Sequence, residues 1–301
     1  MTTLLLAMLM TTSISADDPR PISIERNIRY AEVEGVDPLR FSLDVYSPGV
    51  KPKKAPVMLY VHGGGWKWGD KKAVGRKPGY FTGAGWIFVS TNYRLLPQGK
   101  HPHNVEDIAS ALAWIHDHIE KRGGDPDKIF IMGHSAGCHL VSLVATSPKP
   151  LEKVGKSRQI IRGVIGLDCQ AYDISELLQR LTTRKFYSGI FGSDPEEVRD
   201  ASPQLHIGKG QGIAPFLICY SSGNTLRKNP WRRITAEVFR DALRAADIPA
   251  EVIDASDRTH SQINQRFGDP SDLKVTHKAM NFLQGILMKP KKPPEQKPLS
   301  L

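Results

Sequence analysis

Cysteine is scarce in this 301-residue chain: Cys138, Cys169 and Cys219 are the only three. An odd number, each in an apolar run or at an element end, argues against a disulfide framework and for buried free thiols. Long apolar runs are missing too. The stretch Leu4 to Met10 is too short to span a bilayer, and no later segment reaches the ~20 apolar residues that a helical span needs, so no membrane span is expected. Charge is absent from the first sixteen residues. That short apolar core, followed by Thr-Thr-Ser-Ile-Ser-Ala and then Asp17, reads as a signal peptide over residues 1–16 with cleavage near Ala16. It lacks the usual leading Lys or Arg. The expectation is an exported protein, periplasmic or secreted.

Metal-ligand spacings are also lacking. His116 and His118 stand two apart on a helical pattern and face different ways, and His101 and His103 lie in a Pro-rich loop without a carboxylate or thiol at ligand spacing. No metal and no cofactor is expected. The formal charge of +10 invites a nucleic-acid reading, but residues 289–301 hold four lysines against one glutamate among prolines. That tail reads as disordered and leaves +7, with no aromatic-and-basic motif; a solvated basic surface and no nucleic-acid partner are expected.

What is present is an alternation of strands and helices. Two alternating segments around Ile28–Val33 and Leu39–Tyr46 read as an antiparallel opening pair. Pro56–Val61, Trp86–Ser90, Ile129–Met132, Ile160–Leu167 and Pro215–Tyr220 are apolar runs of the kind buried on both faces, and Ala250–Ile253 is a shorter one. Between them, Val105, Ile108, Leu112, Ile115 and Ile119 mark a helix over 104–122; others are expected at 138–145, 231–246 and 272–288. This predicts one α/β domain over 22–288 with a mostly parallel sheet covered on both faces. Residues 173–210, with weak mixed periodicity, read as a cap-like insertion, and 254–269 as a loop.

Two motifs carry chemistry. Strand 129–132 runs into Gly133-His134-Ser135-Ala136-Gly137 and then a helix, a tight turn that lifts a serine hydroxyl out of the sheet and puts the Ala136 amide at a helix N-terminus. Strand 56–61 runs into His62-Gly63-Gly64-Gly65-Trp66. With the Asn92-Tyr93-Arg94 stretch between them and a late His260, this order resembles the α/β-hydrolase family, most of all the esterases related to hormone-sensitive lipase and the kynurenine formamidases. The resemblance covers about residues 40–287. It implies an α/β-hydrolase fold of about eight strands and a serine hydrolase acting on a small-molecule carboxylic ester. An arylformamidase-like amide hydrolase is the alternative within the family. Ser135 is the implied nucleophile, His260 its base, and the amides of Gly64, Gly65 and Ala136 the implied oxyanion hole; His62 braces the loop. Trp66 and Trp68 are candidates for a pocket wall or for plain packing. The sequence does not specify an oligomeric state.

One part of the pattern is missing. The family's carboxylate usually follows the strand at 215–220, yet Ser221 to Pro230 contains no Asp or Glu. Asn224 acting as a neutral amide, a carboxylate moved to Asp168 or Asp254 (or to Asp257, three residues before the histidine), and a non-catalytic binding protein all remain open, with Asp168 and Asp254 the leading candidates because both end strands.

Overall fold

A computed structural model describes residues 22–224 and 229–289. The segment 1–16 read as a signal, and the tail from residue 290 on, lie outside the described residues. The strands are β1 (Ile22–Arg29), β2 (Ser42–Pro48), β3 (Ala55–Val61), β4 (Ile87–Thr91), β5 (Gly124–His134), β6 (Ile161–Leu167), β7 (Phe216–Ser221) and β8 (Ala250–Ala255). The helices are α1 (Lys77–Gly83), α2 (His103–His118), α3 (Ala136–Thr146), α4 (Lys149–Glu152), α5 (Ile174–Gln179), α6 (Leu181–Phe191), α7 (Pro195–Asp200), α8 (Pro230–Ala245), α9 (His260–Gln265) and α10 (Thr276–Leu287).

Among the described residues, eight strands form one sheet in the order β1-β2-β4-β3-β5-β6-β7-β8. β2 pairs antiparallel with β1 and β4; every other pairing is parallel. The alternation along β3 shows why the central runs are apolar throughout. Val57, Leu59 and Val61 join a core with α2, α3 and α8, whereas Met58 and Tyr60 join a second core with α1, α9 and α10. The sheet is therefore covered on both faces, as expected.

Two segments differ from the sequence reading, and a third, read as a cap-like insertion, resolves into short helices. β1 occupies 22–29, and the chain from Tyr30 to Phe41 is turn and 3-10 helix, because Pro38 and the Asp37 cap hold a tight turn there. Residues 174–206 form α5, α6, α7 and a 3-10 turn, whose Ile174, Leu177, Ile190, Phe191 and Val198 are buried in the α2/α3 core. The short helices, two of them capped by an Asp, dilute any single period. Finally, His260 opens helix α9 instead of lying in a loop. Thr259 and Gln262 form a reciprocal capping box at its start, a T-x-x-Q signal present in the sequence.

The parallel order has one consequence for chemistry. The C-terminal ends of β3, β5, β6, β7 and β8 share one edge of the sheet, so His62, Ser135, Asp168, Ser221 and the loop to His260 meet there although they span most of the chain.

Candidate active site

Ser135 sits between β5 and α3 with φ 56° and ψ −119°, a strained conformation for a residue with a side chain. Its neighbours must be small for the turn to close. A Cβ on Gly133 would lie 2.2 Å from the Gly137 carbonyl oxygen, and one on Gly137 would lie 2.2 Å from that of Val61. The β3 loop packs against the same turn: a Cβ on Gly63 would come within 3.0 Å of Ser135 Cβ. Gly64 and Gly65 have φ of 121° and 59°, which only glycine adopts without strain, and they fold the loop so that the Gly64 carbonyl accepts from Lys67 N and Trp68 N. The glycine loop is thus fixed beside the serine hydroxyl.

His260 Nε2 lies 2.9 Å from Ser135 Oγ, and His260 Nδ1 lies 2.6 Å from Asp168 Oδ2. Asp168 directly follows β6, and its own backbone is left-handed at φ 60°, which turns the carboxylate back across the end of β7. There Ser221 N donates to Oδ1 at 2.9 Å and Ser221 Oγ donates to Oδ2. Arg232 Nη1 stands 2.6 Å from Oδ2. Burial alone would raise this carboxyl; the hydrogen bond from His260, then the Arg232 and His260 charges, outweigh it and hold the group well below the usual carboxylate range.

The other acid candidates are corrected. Asp254, at the end of outer strand β8, is exposed and caps its own turn through Ser256 N at 2.8 Å. Asp257 pairs with Lys274 at 2.9 Å, and Asn224 is exposed. Sheet order is the reason: β6 lies between β5 and β7, and β8 lies outside β7.

Histidines near the site have structural partners. His62 Nδ1 donates to Gly63 O at 2.7 Å, and its ring stacks on Tyr93, whose hydroxyl donates to His62 O. Burial pushes His62 down to about 4, so it is neutral at pH 7. His139 accepts from Trp66 Nε1 at Nδ1 and donates from Nε2 to Ala201 O at 2.8 Å, joining the glycine loop to the segment after α7. Trp66 is buried against Tyr187 and Phe191, whereas Trp68 is exposed and lines a shallow cleft with Arg40, Leu95 and Leu96. His134 Nε2 donates to the His260 carbonyl at 2.9 Å; burial and the nearby His260 ring push it well below the usual imidazole range.

Beneath α9 lies a lysine the sequence reading did not single out. Lys77 is fully buried, donates to Asn264 O at 2.8 Å and faces the Tyr60 ring at 4.8 Å. Burial pushes its ammonium from 10.5 down to about 7. Between these values the unfolded chain carries a proton that the folded chain has shed, so this group makes stability rise with pH through that window. Lys77→Met is expected to remove that rise: relative to the variant, wild-type melting temperature should climb between about pH 7 and pH 10. Parallel melting curves across that range would refute it.

With the geometry in place, comparison with known proteins decides the family. The BD-FAE family model matches residues 43–225, more than half of the chain. The chain belongs to the BD-FAE family. This is a hormone-sensitive-lipase-like branch of the α/β-hydrolases. A probable isoprenylcysteine alpha-carbonyl methylesterase of Arabidopsis thaliana is 30% identical to this BD-FAE chain over 249 residues, 78% of the chain and 58% of the relative. The probable carboxylic ester hydrolase LipM of Mycobacterium tuberculosis is 43% identical over 182 residues, 57% of the chain and 42% of the relative. The chain thus spans about half the length of these curated relatives. Inhibited esterase B from Lactobacillus rhamnosis has the same fold, with a TM-score of 0.73 at 23% identity over 90% of both chains. Among the described residues, no helix is long and apolar enough to cross a membrane, and no cluster of three His, Cys, Asp or Glu is placed to hold a metal.

Proposed function

We propose that this BD-FAE protein hydrolyses small carboxylic esters through an acyl-enzyme on Ser135. The observation that carries the reading is the continuous chain from Ser135 Oγ through His260 to Asp168, with contacts of 2.9 and 2.6 Å. His260 Nε2 takes the hydroxyl proton as Oγ attacks the ester carbonyl, and Asp168 stabilises the imidazolium through Nδ1–H. The negative oxygen of the tetrahedral intermediate is received by the amides of Gly64, Gly65 and Ala136; one such donor is worth about 3–4 kcal/mol in the transition state. Collapse expels the alcohol, which takes the proton from Nε2. Water, activated by the same imidazole, then releases the acid. The names of the curated relatives support an ester over an amide, since they describe esterases. The segment 174–206, joined to the glycine loop through Trp66 and His139, is the proposed cap over the site. A non-catalytic reading rested on the acid-free loop after β7; the buried Asp168 beside His260 supports the catalytic reading instead. A fluorophosphonate probe tests the proposal. Stoichiometric labelling at Ser135 in folded protein is expected, and an unlabelled Ser135 beside a labelled control esterase would overturn it.

A further inference from the structure

Arg232 reaches the catalytic pair from an unfavourable place. It stands in the first turn of α8, after Pro230 and the capping Asn229, where the helix dipole favours negative charge. Its side chain is nonetheless turned inward, only 12% exposed, and its Nε is buried without a hydrogen-bond partner among the described residues. The compensation is one contact: Nη1 meets Asp168 Oδ2 at 2.6 Å. The same nitrogen lies 3.1 Å from His260 Nδ1.

We propose that Arg232 is a positioning residue of the triad, whose fixed charge keeps buried Asp168 ionised while His260 is neutral and limits how far Asp168 stabilises the imidazolium. The inference rests on the triad reading given above. Before attack, His260 must be neutral to accept the serine proton, so it cannot neutralise Asp168, whose side chain has no exposed surface. An unpaired carboxylate so buried is strongly disfavoured; the guanidinium supplies the missing charge. In the productive tautomer Nδ1 holds the proton shared with Asp168, so it offers Arg232 no lone pair. The 3.1 Å approach is then a charge beside the imidazole, repulsive once the imidazole takes the serine proton.

Among the described residues, the groups facing His260 come from four elements. Asp168 comes from the end of β6, Arg232 from α8, Ser135 and His134 from the β5–α3 turn, and Lys77 of α1 bears electrostatically on His134. His134 is held neutral, its ring 4.6 Å from that of His260. Lys77 is spent on the α9 backbone. Among the described residues, the opposing charges in direct contact with the imidazole are therefore Asp168 and Arg232.

The test is the pH profile of kcat/KM for p-nitrophenyl acetate in wild type, Arg232→Lys and Arg232→Gln. Removing the charge should move the acidic limb to higher pH by about one unit in Arg232→Gln, and part of that way in Arg232→Lys, whose ammonium reaches less far. A limb unmoved in folded Arg232→Gln overturns the proposal. Should Arg232→Gln fail to fold, Arg232→Met, which also removes the charge, decides: a limb displaced upward supports the proposal, and one coincident with wild type overturns it. Ser135→Ala keeps the two readings apart. Full turnover in that variant removes the triad itself, whereas an inactive Ser135→Ala beside an unmoved Arg232→Gln limb removes only the role of Arg232.

Discussion

Ser135→Ala is expected to lower turnover of p-nitrophenyl acetate by about a millionfold, the scale on which losing the nucleophile of a serine triad acts. The argument rests on the strand–turn–helix geometry. The φ of 56° costs backbone energy and is maintained by close contacts at Gly133 and Gly137. What that strain achieves is a hydroxyl 2.9 Å from His260 Nε2, beside the glycine loop. Alanine keeps the backbone and the glycine contacts, so folding should be retained and melting temperature little altered. Residual rate above water would come from the amides alone. Turnover within tenfold of wild type in the purified alanine variant would remove Ser135 as nucleophile.

The serine could be read from the chain because its requirements are local. A buried strand, a small residue two places away on each side and a helix all lie within about twenty positions, and each leaves a compositional trace. The glycine loop is legible for the same reason, and His260 by chain order. The acid is different. Asp168 and Asp254 both lie at the C-terminal ends of strands, and in the sequence nothing within a few residues of either separates them. The distinction is made by strand order, which sets β6 beside β5 and β8 beyond β7. Arg232 was invisible for a related reason: an arginine in a first helical turn reads as a solvated charge until its partner, 64 positions earlier, is placed against it. The helix that opens at His260 is the contrary case. Thr259 and Gln262 announced it locally, and the loop reading passed over that signal. Its capping box fixes the backbone of His260 as the first helical residue, while Lys77 and Tyr60 hold its far end through Asn264.

Asp168→Asn is expected to lower kcat by about ten-thousandfold, the loss associated with a triad histidine held in the wrong tautomer. The amide preserves volume and still accepts Ser221 N through its oxygen, so the cavity is not disturbed. An NH2 turned toward His260 favours an unprotonated Nδ1, and the proton then sits on Nε2, where it blocks the serine. Asp254→Asn, at an exposed turn, should leave kcat unchanged. If Asp168→Asn stays within tenfold of wild type, Asp168 is not the triad acid. The substitution has a second effect that separates charge from catalysis. It leaves Arg232 buried without a counter-ion, and breaking a buried pair from one side costs about 3–5 kcal/mol. Adding Arg232→Gln to Asp168→Asn should recover much of that stability, because no unpaired charge remains, yet recover none of the rate, because the tautomer is still wrong. Melting temperature and kcat should therefore part company in the double variant. If they instead recover together, the rate loss in Asp168→Asn came from disordered packing and not from the proton on His260.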